Sequence, residues 1–437
     1  MSMANSDAPE MGLSSDLVYN RQKLNSVPCR KQTVSFSPWN SSTGGFQGGD
    51  TIKINVSGGA AQFLNARASF LQLRVNAVGV SGELDGSAYS LIKTIAVFQG
   101  STLLERLDSY GNWWNTVYHL QGNISNAGSG DSILYGTGSE VLSNGAAVAA
   151  GTAISTGPTQ AAKGCLVPTG GATFCLPLVG SAIFGPGTKM LPLCKLAELR
   201  LEITLDTLAA AFYSANAITG FTVSAAYVAE IVTLESSVMD MIDHQVAQTG
   251  GEMKISGEGW TNFQSAHTTA NLVGNILLPA RYASVKTAIT TFRQTANLAV
   301  TKRWLTSRSK PDLRSWSYVC GNVKFPATEV QDDIAAYCET QKALHHLGTL
   351  DSSGLCTRTN WSEAGAGLLT GTYAMATCLE SQYGKSAGLS GCGLDLRRQD
   401  MYLNYNLNSS AIGYQVDTYI NFDILMMIKD RLIYISN

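Results

Sequence analysis

The chain has 437 residues, of which 45% are hydrophobic and only 14% are charged, and its formal net charge is −2. This balance excludes non-specific nucleic-acid binding, because phosphate contacts need a surplus of Lys and Arg. The length suits two domains better than one. Few charges and 43 glycines are typical of strands and loops whose surfaces pack against copies of the same protein. A loop-rich secreted β-protein would have the same composition.

The first stretch, residues 1–32, is predicted to be an irregular N-terminal arm. It has no basic start followed by an apolar run, so we expect no signal peptide. No apolar run in the chain approaches the ~18 residues of a membrane span. The nine cysteines are dispersed, without a C-x-x-C motif. Without a secretion signal, we expect them to be reduced, buried thiols.

Strand patterns follow the arm in close succession. TVSF at 33–36 is the first, and TIKINV at 51–56 and FLQLRVNA at 70–77 alternate cleanly between apolar and polar residues. Such alternation predicts half-buried strands with one apolar face. SLIKTIAVF at 90–98 predicts a more deeply buried strand.

An amphipathic helix is predicted next. Leu103, Leu107, Tyr110, Trp114 and Val117 are spaced by four and three residues, which is the period of an apolar helical stripe. We expect this stripe to face the core of its own unit.

A Gly-, Ala-, Ser- and Thr-rich segment at 121–170 is far longer than an ordinary connection and is predicted to be an exposed loop. Strands are predicted at 173–179 and 198–206, and one long strand or two short ones at 220–237. Residues 243–252 are the best candidate for a linker between domains.

The pattern then begins again. At an offset of 227 residues, the window 98–120 matches the window 325–347, and each window follows a predicted strand. Four positions of the first window fall on identical residue types, namely Phe98, Tyr110, His119 and Leu120. The second window continues the apolar stripe with Val330, Ile334, Tyr337 and Leu344. A shorter counterpart of the long loop is expected at 348–372.

Later strands repeat as well: 200–205 corresponds to 401–407, and 226–234 corresponds to 418–426. The chain is therefore predicted to be all-β, with two tandem jelly-roll β-sandwiches that each carry a short helix and long loops at one end. The first jelly roll covers 33–242 and the second covers 253–437. A propeller would need more and shorter repeats.

No catalytic, cofactor-binding or metal-binding residue is predicted. The five histidines do not form the spaced pair of a metal site. His119 and His346 take equivalent repeat positions near the helix ends, where a histidine is expected to bond the last carbonyls. Common nucleotide-binding, hydrolase and metalloprotease motifs do not occur. We therefore expect no enzymatic activity, no cofactor and no required metal.

Carboxylates and tryptophans leave two alternatives open. Four acidic residues lie on the polar faces of predicted strands, and no two of them stand out as a glycosidase pair. They are Glu202, Asp206, Glu230 and Asp423. Tryptophans can stack on sugars, but Trp113, Trp114 and Trp316 are predicted to be core residues. Trp39 and Trp361 fall in loops and remain undecided.

The order of these phrases resembles a known family. GGDTIKINV, SFLQLRV, LERLDSY, LRLEITLD and YVAEIVTLESSVMDM in the first unit are followed by SWSYVCGNVKFPATEV and TYINFDILMMIKDRLIYIS in the second. The succession resembles the double-jelly-roll major capsid proteins of Polinton-like viruses, adintoviruses and their relatives, over residues 33–435.

The resemblance implies a major capsid protein that forms homotrimers, which are pseudo-hexagonal capsomers, and tiles an icosahedral virion shell. Its partners would be its own copies, neighbouring capsomers, a penton protein and minor capsid proteins, without sequence-specific binding of nucleic acid. An internal membrane beneath the shell is left open. The protein would be made inside the host cell, not secreted, and would end in the virion. The alternatives are a tandem β-sandwich carbohydrate-binding protein and a β-sandwich hydrolase with a carboxylate pair.

Overall fold

A computed structural model describes most of the chain. The described residues are 27–40, 44–122, 130–137, 141–142, 161–162, 166–187, 189–212, 218–248, 250–295, 308–347, 356, 361, 373–381, 392–409 and 412–436. The arm up to residue 26 and most of the predicted loops at 121–170 and 348–372 lie outside these residues. The predicted arm is too long at its end, because the first strand already begins at Cys29.

Twelve strands lie in the described part of the first half. They are β1 (Cys29–Phe36), β2 (Thr51–Val56), β3 (Gln62–Val78), β4 (Gly82–Glu83), β5 (Ile92–Gln99), β6 (Thr102–Asp108), β7 (Val141–Leu142), β8 (Ala161–Ala162), β9 (Leu166–Val167), β10 (Ala172–Leu176), β11 (Leu199–Leu205) and β12 (Gly220–Leu234). Eight of them form two four-stranded antiparallel sheets, in the orders β1-β12-β3-β10 and β2-β11-β5-β6, while β4 pairs with β9 and β7 with β8.

Nine strands lie in the described part of the second half. They are β13 (Met253–His267), β14 (Val273–Leu278), β15 (Val285–Gln294), β16 (Leu313–Cys320), β17 (Val323–Val330), β18 (Met375–Cys378), β19 (Met401–Leu407), β20 (Tyr414–Lys429) and β21 (Leu432–Ser436). Their sheets run β13-β20-β15-β18, with β21 added to β20, and β14-β19-β16-β17. Strand for strand, this is the order of the first half.

The shared order is that of a jelly roll, in which two sheets of a Greek-key chain pack face to face. Alternation builds the sheets: β11 buries every second residue, from Leu199 to Leu205, and pairs with β2 and β5. β19 has the same burial pattern in the second unit. The prediction of two tandem jelly rolls is confirmed.

The two units differ along their last long strand. In the first unit, β3 pairs with β12 along nearly its whole length, from Gly220 to Thr233. In the second unit, the shorter β15 pairs with β20 only as far as Phe422. The chain then turns back, and β21 pairs with the rest of β20 from Leu425 to Lys429. The closing strand β21 thus takes the place that the beginning of β3 has in the first unit.

Five α-helices connect the strands of the described chain: α1 (Tyr110–Gln121), α2 (Gly130–Tyr135), α3 (Leu208–Ala211), α4 (Ser236–Gln248) and α5 (Asp333–Ala343). None of them is long and apolar enough to cross a membrane. The predicted linker at 243–252 begins inside α4, whose sequence lacks a helix breaker until Gly250 and Gly251, both with positive φ.

The predicted helical stripe is wrong in its first half. Leu103 and Leu107 lie in β6, and α1 begins only at Tyr110. Residues four apart lie on the same face of a strand as well as of a helix, so this spacing could not distinguish a strand from a helix. A bulge opposite Val97 then changes the register of β6. As a result Leu103 is exposed, whereas Leu107 is buried.

The second stripe is also wrong in part. Val330 ends β17, Leu344 follows α5, and Ile334 on α5 is 59% exposed rather than turned to the core. The alignment of the repeat explains this error. Ile92 corresponds to Leu313, and Gly100 to Gly321, two turn glycines with φ of 60° and 59°. The structural offset for these strands is therefore 221 residues, shorter than the predicted 227.

Candidate functional site

Helix α1 lies between the two jelly rolls, and we call the contact of the first unit with the second unit around this helix the seam. Most of the second unit's side of it is the sheet β13-β20-β15-β18. Nine of its twelve residues are buried. Polar residues Asn112, Thr116 and His119 recur at helical spacing, so they share one face, and this face meets the second unit. The seam is thus built from polar side chains of α1 and the outer face of β20.

Aromatic residues fix the opposite face of α1 to its own unit. Trp114 stacks on Tyr89, which precedes β5, with ring centroids 4.0 Å apart, and within the helix it also stacks on Tyr118 at 4.6 Å. Gly111 allows the close approach, because a Cβ there would lie 2.7 Å from the carbonyl oxygen of Tyr89. The glycine inside the helix is therefore a packing requirement.

One group of seam contacts centres on β20. The Asn112 Nδ2 atom donates to the hydroxyl of Tyr419 at 2.8 Å, and this hydroxyl donates to the backbone oxygen of Ser109 at 3.3 Å. Beside it, Arg293 donates from Nε and Nη2 to one carboxylate oxygen of Asp417, at 2.9 and 2.6 Å. Burial lowers the pKa of Arg293, but the charge and hydrogen bonds of Asp417, together with the nearby Tyr419 and Asp206, outweigh burial and raise the pKa overall.

A second group joins α1 to Arg308, which is completely buried. Its guanidinium donates to the Thr116 hydroxyl at 3.1 Å and lies 2.9 Å from Nδ1 of His119. Because arginine has only donors, this ring nitrogen accepts, and His119 is held as a neutral imidazole. Burial lowers the pKa of Arg308 to about 10.

The histidine prediction therefore needs correction. His119 lies within α1 and accepts from the second unit, whereas His346 lies beyond the end of α5 and is half-buried. The two residues are not equivalent, because the true offset of the flanking strands differs from the one used to align them.

Gln99, at the end of β5, joins the units at a second place. Its side-chain amide donates to the backbone oxygen of Arg431 at 2.9 Å and accepts from the backbone N–H of Ile433 at 2.8 Å. The Arg431 oxygen belongs to the turn between β20 and β21, and the Ile433 nitrogen belongs to β21 just after this turn. A single side chain thus bonds the closing hairpin of the second unit to the first unit.

A cavity of about 400 Å³ opens along the seam. Trp113 and Trp260, one from each unit, meet in its wall with ring centroids 5.3 Å apart. Lys286 is buried there between Glu258 at 2.7 Å and Asp423 at 2.9 Å. Burial lowers the pKa of Lys286, but the two carboxylates outweigh it and raise the pKa overall. Lys286 therefore stays charged and acts as an ionic contact.

Glu105 on β6 supports the loop that forms another wall of this cavity. Its carboxylate accepts from the backbone N–H of Ala182 at 2.7 Å and from the Ser181 hydroxyl at 2.8 Å. Burial raises the pKa of Glu105 to about 7, against the lowering effect of these hydrogen bonds. The loop in turn contacts β13, because a Cβ on Gly257 would lie 3.6 Å from that of Ala182.

The acidic residues considered from the sequence have separate partners. Glu202 pairs with Arg200 at 2.9 Å on β11, and Glu230 pairs with Lys31 at 3.1 Å across β12 and β1. Asp423 belongs to the seam. Across the described ranges, no three His, Cys, Asp or Glu side chains lie close enough together to hold a metal ion. That the protein needs no metal and has no catalytic residue stays a prediction.

The tryptophans are mostly structural. Trp113, Trp114 and Trp316 are buried, which confirms the prediction for these three. Of the two undecided ones, Trp361 is buried and donates from Nε1 to the backbone oxygen of Asp333 at 3.0 Å, while Trp39 is 59% exposed.

Sequence reasoning missed the residues that form the seam, above all Arg293, Arg308 and Asp417. A signal existed in β20, where polar residues alternate with apolar ones from Gln415 to Asp423. Alternation shows that a strand has a polar face, but the same pattern arises whether that face meets water or another unit.

Solved structures share the fold of this chain over nearly its whole length. The Faustovirus major capsid protein aligns with a TM-score of 0.62 at 9% identity, covering 94% of this chain and 93% of that one. A chain of the PBCV-1 virus capsid aligns with a TM-score of 0.59 at 12% identity, covering 96% and 99%. The Sputnik virophage structure gives 0.53 at 10% identity, with 97% and 92% covered.

The chain has the double jelly-roll fold. No protein-family model matches it, and a sequence search of curated proteins finds no match. At 9–12% identity, the likeness to these capsid proteins lies in the path of the backbone and the order of the strands rather than in matching residues.

Proposed function

We propose that this protein is a major capsid protein, which trimerises into pseudo-hexagonal capsomers that tile an icosahedral virion shell. One observation carries the proposal: the double jelly roll matches capsid proteins of Faustovirus and PBCV-1 over more than nine-tenths of each chain. Three chains with two similar units each supply six similar blocks around one axis, so a three-fold object can tile as a hexagon.

The finer expectations belong to this proposal. The two blocks are residues 29–242, which begin with β1, and residues 253–437. The protein acts in the virion without enzymatic activity, after synthesis in the host cell. Its further partners are neighbouring capsomers, a penton protein and minor capsid proteins. A lineage related to Polinton-like viruses and adintoviruses is part of the same proposal.

The carbohydrate-binding alternative gains no support from these comparisons. Sugar platforms need an aromatic ring with one free face. Trp113, Trp114, Trp316 and Trp361 are buried, and the Lys53 ammonium lies over the ring of the exposed Trp39, 5.7 Å from its centroid. The seam also argues for a building block, because its buried charges are used as contacts between units.

Light scattering coupled to size-exclusion chromatography tests the proposal, with negative-stain electron microscopy of the same fractions. We expect a particle of three chains, each of 46.5 kDa, with a hexagonal outline. An obligate interface of this kind should bury more than ~2,000 Å².

Protease cleavage within 121–170 should leave the trimer intact. A protein that stays monomeric at assembly concentrations and binds glycans would contradict the proposal.

A further inference from the structure

We propose that the side chains of Lys286 and Asp423 condense to an amide, which ties β15 covalently to β20. Glu258 carries the protons in this single reaction of the chain with itself. The inference goes beyond the proposed capsid function and applies equally to a single chain. The amide would make the second unit a cross-linked block on its side of the seam.

The reacting groups lie on three neighbouring strands of one sheet. Glu258 on β13 is directly opposite Asp423 on β20, and like charges in that position repel each other. Lys286 lies between them, with Nζ 2.7 Å from the Glu258 carboxylate and 2.9 Å from the Asp423 carboxylate. A β-bulge places it there, because the register of β15 on β20 shifts between Val285 and Thr287 and the extra residue of a bulge is turned in a new direction.

Burial favours the amide over the ion pair. The side chains of Lys286 and Asp423 are only 4% and 9% exposed, and two charges taken out of water are costly even when they are paired. Condensation replaces both charges with one neutral amide. Packed strands also hold the two groups in contact, which replaces a collision in solution by a reaction within one molecule and lowers the barrier.

Ser284 activates the carboxyl group for this reaction. Its hydroxyl donates to Oδ2 of Asp423 at 2.5 Å, while the backbone N–H of Gly393 donates to Oγ of Ser284 at 3.0 Å. The bond from Gly393 orients the hydroxyl, so that its proton points to the carboxylate. Negative charge that develops on Oδ2 during the attack is thus stabilised by a donor that is already in place.

The reaction starts from the charged pair and releases one water. Glu258 takes a proton from the Lys286 ammonium and passes it to the Asp423 carboxylate, which leaves a neutral amine beside a neutral carboxylic acid. Nζ attacks the carboxyl carbon, the C–N bond forms and the C–Oδ1 bond breaks. Of the three ammonium protons, one stays on the amide nitrogen and two leave with Oδ1 as water. The cavity of about 400 Å³, which all three residues line, receives this water.

Intact-mass spectrometry of the purified, denatured chain tests the proposal. We expect a mass that is lower than the sequence mass by one water molecule. Trypsin should fail to cleave after Lys286, and fragmentation of the digest should show the peptide with Lys286 joined to the peptide with Asp423. A succinimide at another aspartate would lose the same mass but would join no peptides.

Three variants assign the roles of the side chains. Lys286→Arg keeps the positive charge but should abolish the loss of water, because a guanidinium stays protonated and has no free lone pair. Glu258→Gln should slow the formation of the cross-link about 100-fold, because it removes the proton carrier. The matched control is Lys324→Arg, which changes a surface lysine 2.7 Å from Glu329 and should retain the loss of water.

Near-ultraviolet circular dichroism monitors the folding of the variants, but the wild-type chain alone decides the main point. A full sequence mass after days at neutral pH, with normal cleavage after Lys286, would leave a permanent ion pair and overturn the proposal. Loss of water in Lys286→Arg would also overturn it, because the modification would then lie elsewhere. None of these results bears on whether the chain forms trimers, so the capsid proposal is tested separately.

Discussion

Helices α1 and α5 follow the same strand of their jelly rolls, yet they are buried very differently. Nine of twelve residues are buried in α1, against four of eleven in α5. The first unit of the chain has a neighbour on the far side of its helix, and the second unit has none within the described chain. The same topology therefore produces an interior helix in one place and a surface helix in the other.

The two helices are accordingly stabilised by different forces. In α5, the Asp332 side chain accepts from the backbone N–H of Ala335 at 2.7 Å, and Glu339 pairs with Lys342 at 2.5 Å. These local contacts suit a helix at the surface. α1 has no side-chain cap and depends on packing against both units. Mutations should therefore affect the two helices unequally.

The largest expected difference concerns ion pairs. Asp417→Ala should lower the free energy of unfolding by about 3–5 kcal/mol, because it leaves the Arg293 guanidinium buried without its carboxylate. Glu339→Ala, which removes a partly exposed pair on α5, should cost about 0–1 kcal/mol. Urea denaturation of both variants measures the contrast. Equal losses would mean that the seam is as well hydrated as the surface of α5.

The next largest contrast is expected when an apolar side chain is shortened in each unit. Leu107→Ala should lower the free energy of unfolding by about 2–5 kcal/mol, because Leu107 is 3% exposed and its removal leaves a cavity. Ile334→Ala should change it by less than about 0.5 kcal/mol in the isolated chain. Thermal unfolding of the two variants provides the measurement. A large loss for Ile334→Ala under monomeric conditions would show that α5 packs inward.

The smallest expected effect is a pH dependence of the free energy of unfolding, which arises from the buried Glu105 in the first unit. At the offset of 221, Pro326 in β17 corresponds to Glu105 in β6. The folded state keeps the Glu105 proton up to a pKa of about 7, whereas the ordinary value is 4.5. The unfolded chain therefore binds fewer protons in this interval, so stability falls as pH rises from about 4.5 to about 7.

Glu105→Gln should remove this slope, because an amide can still accept from Ala182 but cannot ionise. We expect about 3 kcal/mol less pH dependence than in the wild type, measured by denaturation between pH 4 and pH 8. Glu202→Gln, on the outer face of β11, should retain the slope because it leaves Glu105 in place. A wild-type slope in Glu105→Gln would assign the pH dependence to another group.

The elements predicted best from sequence are those whose signal is local. β2 was predicted residue for residue as 51–56, and β11 within one residue at each end of 198–206. A strand with one buried face must alternate, so its sequence carries its own evidence. The tandem organisation was visible for the same reason, because two such series occur in the same order.

Other features depend on partners far away in the chain. The spacing of Leu103 and Leu107 fits a helix and a strand equally, and only the register with β5 determined that both belong to β6. Likewise, the polar residues of β20 show a polar face, but not that α1 covers it. By itself the sequence determined two alternating, repeated sandwiches. Only the tertiary structure decided which polar face became the seam, because burial of that face results from how the two units pack together and not from the period of either strand.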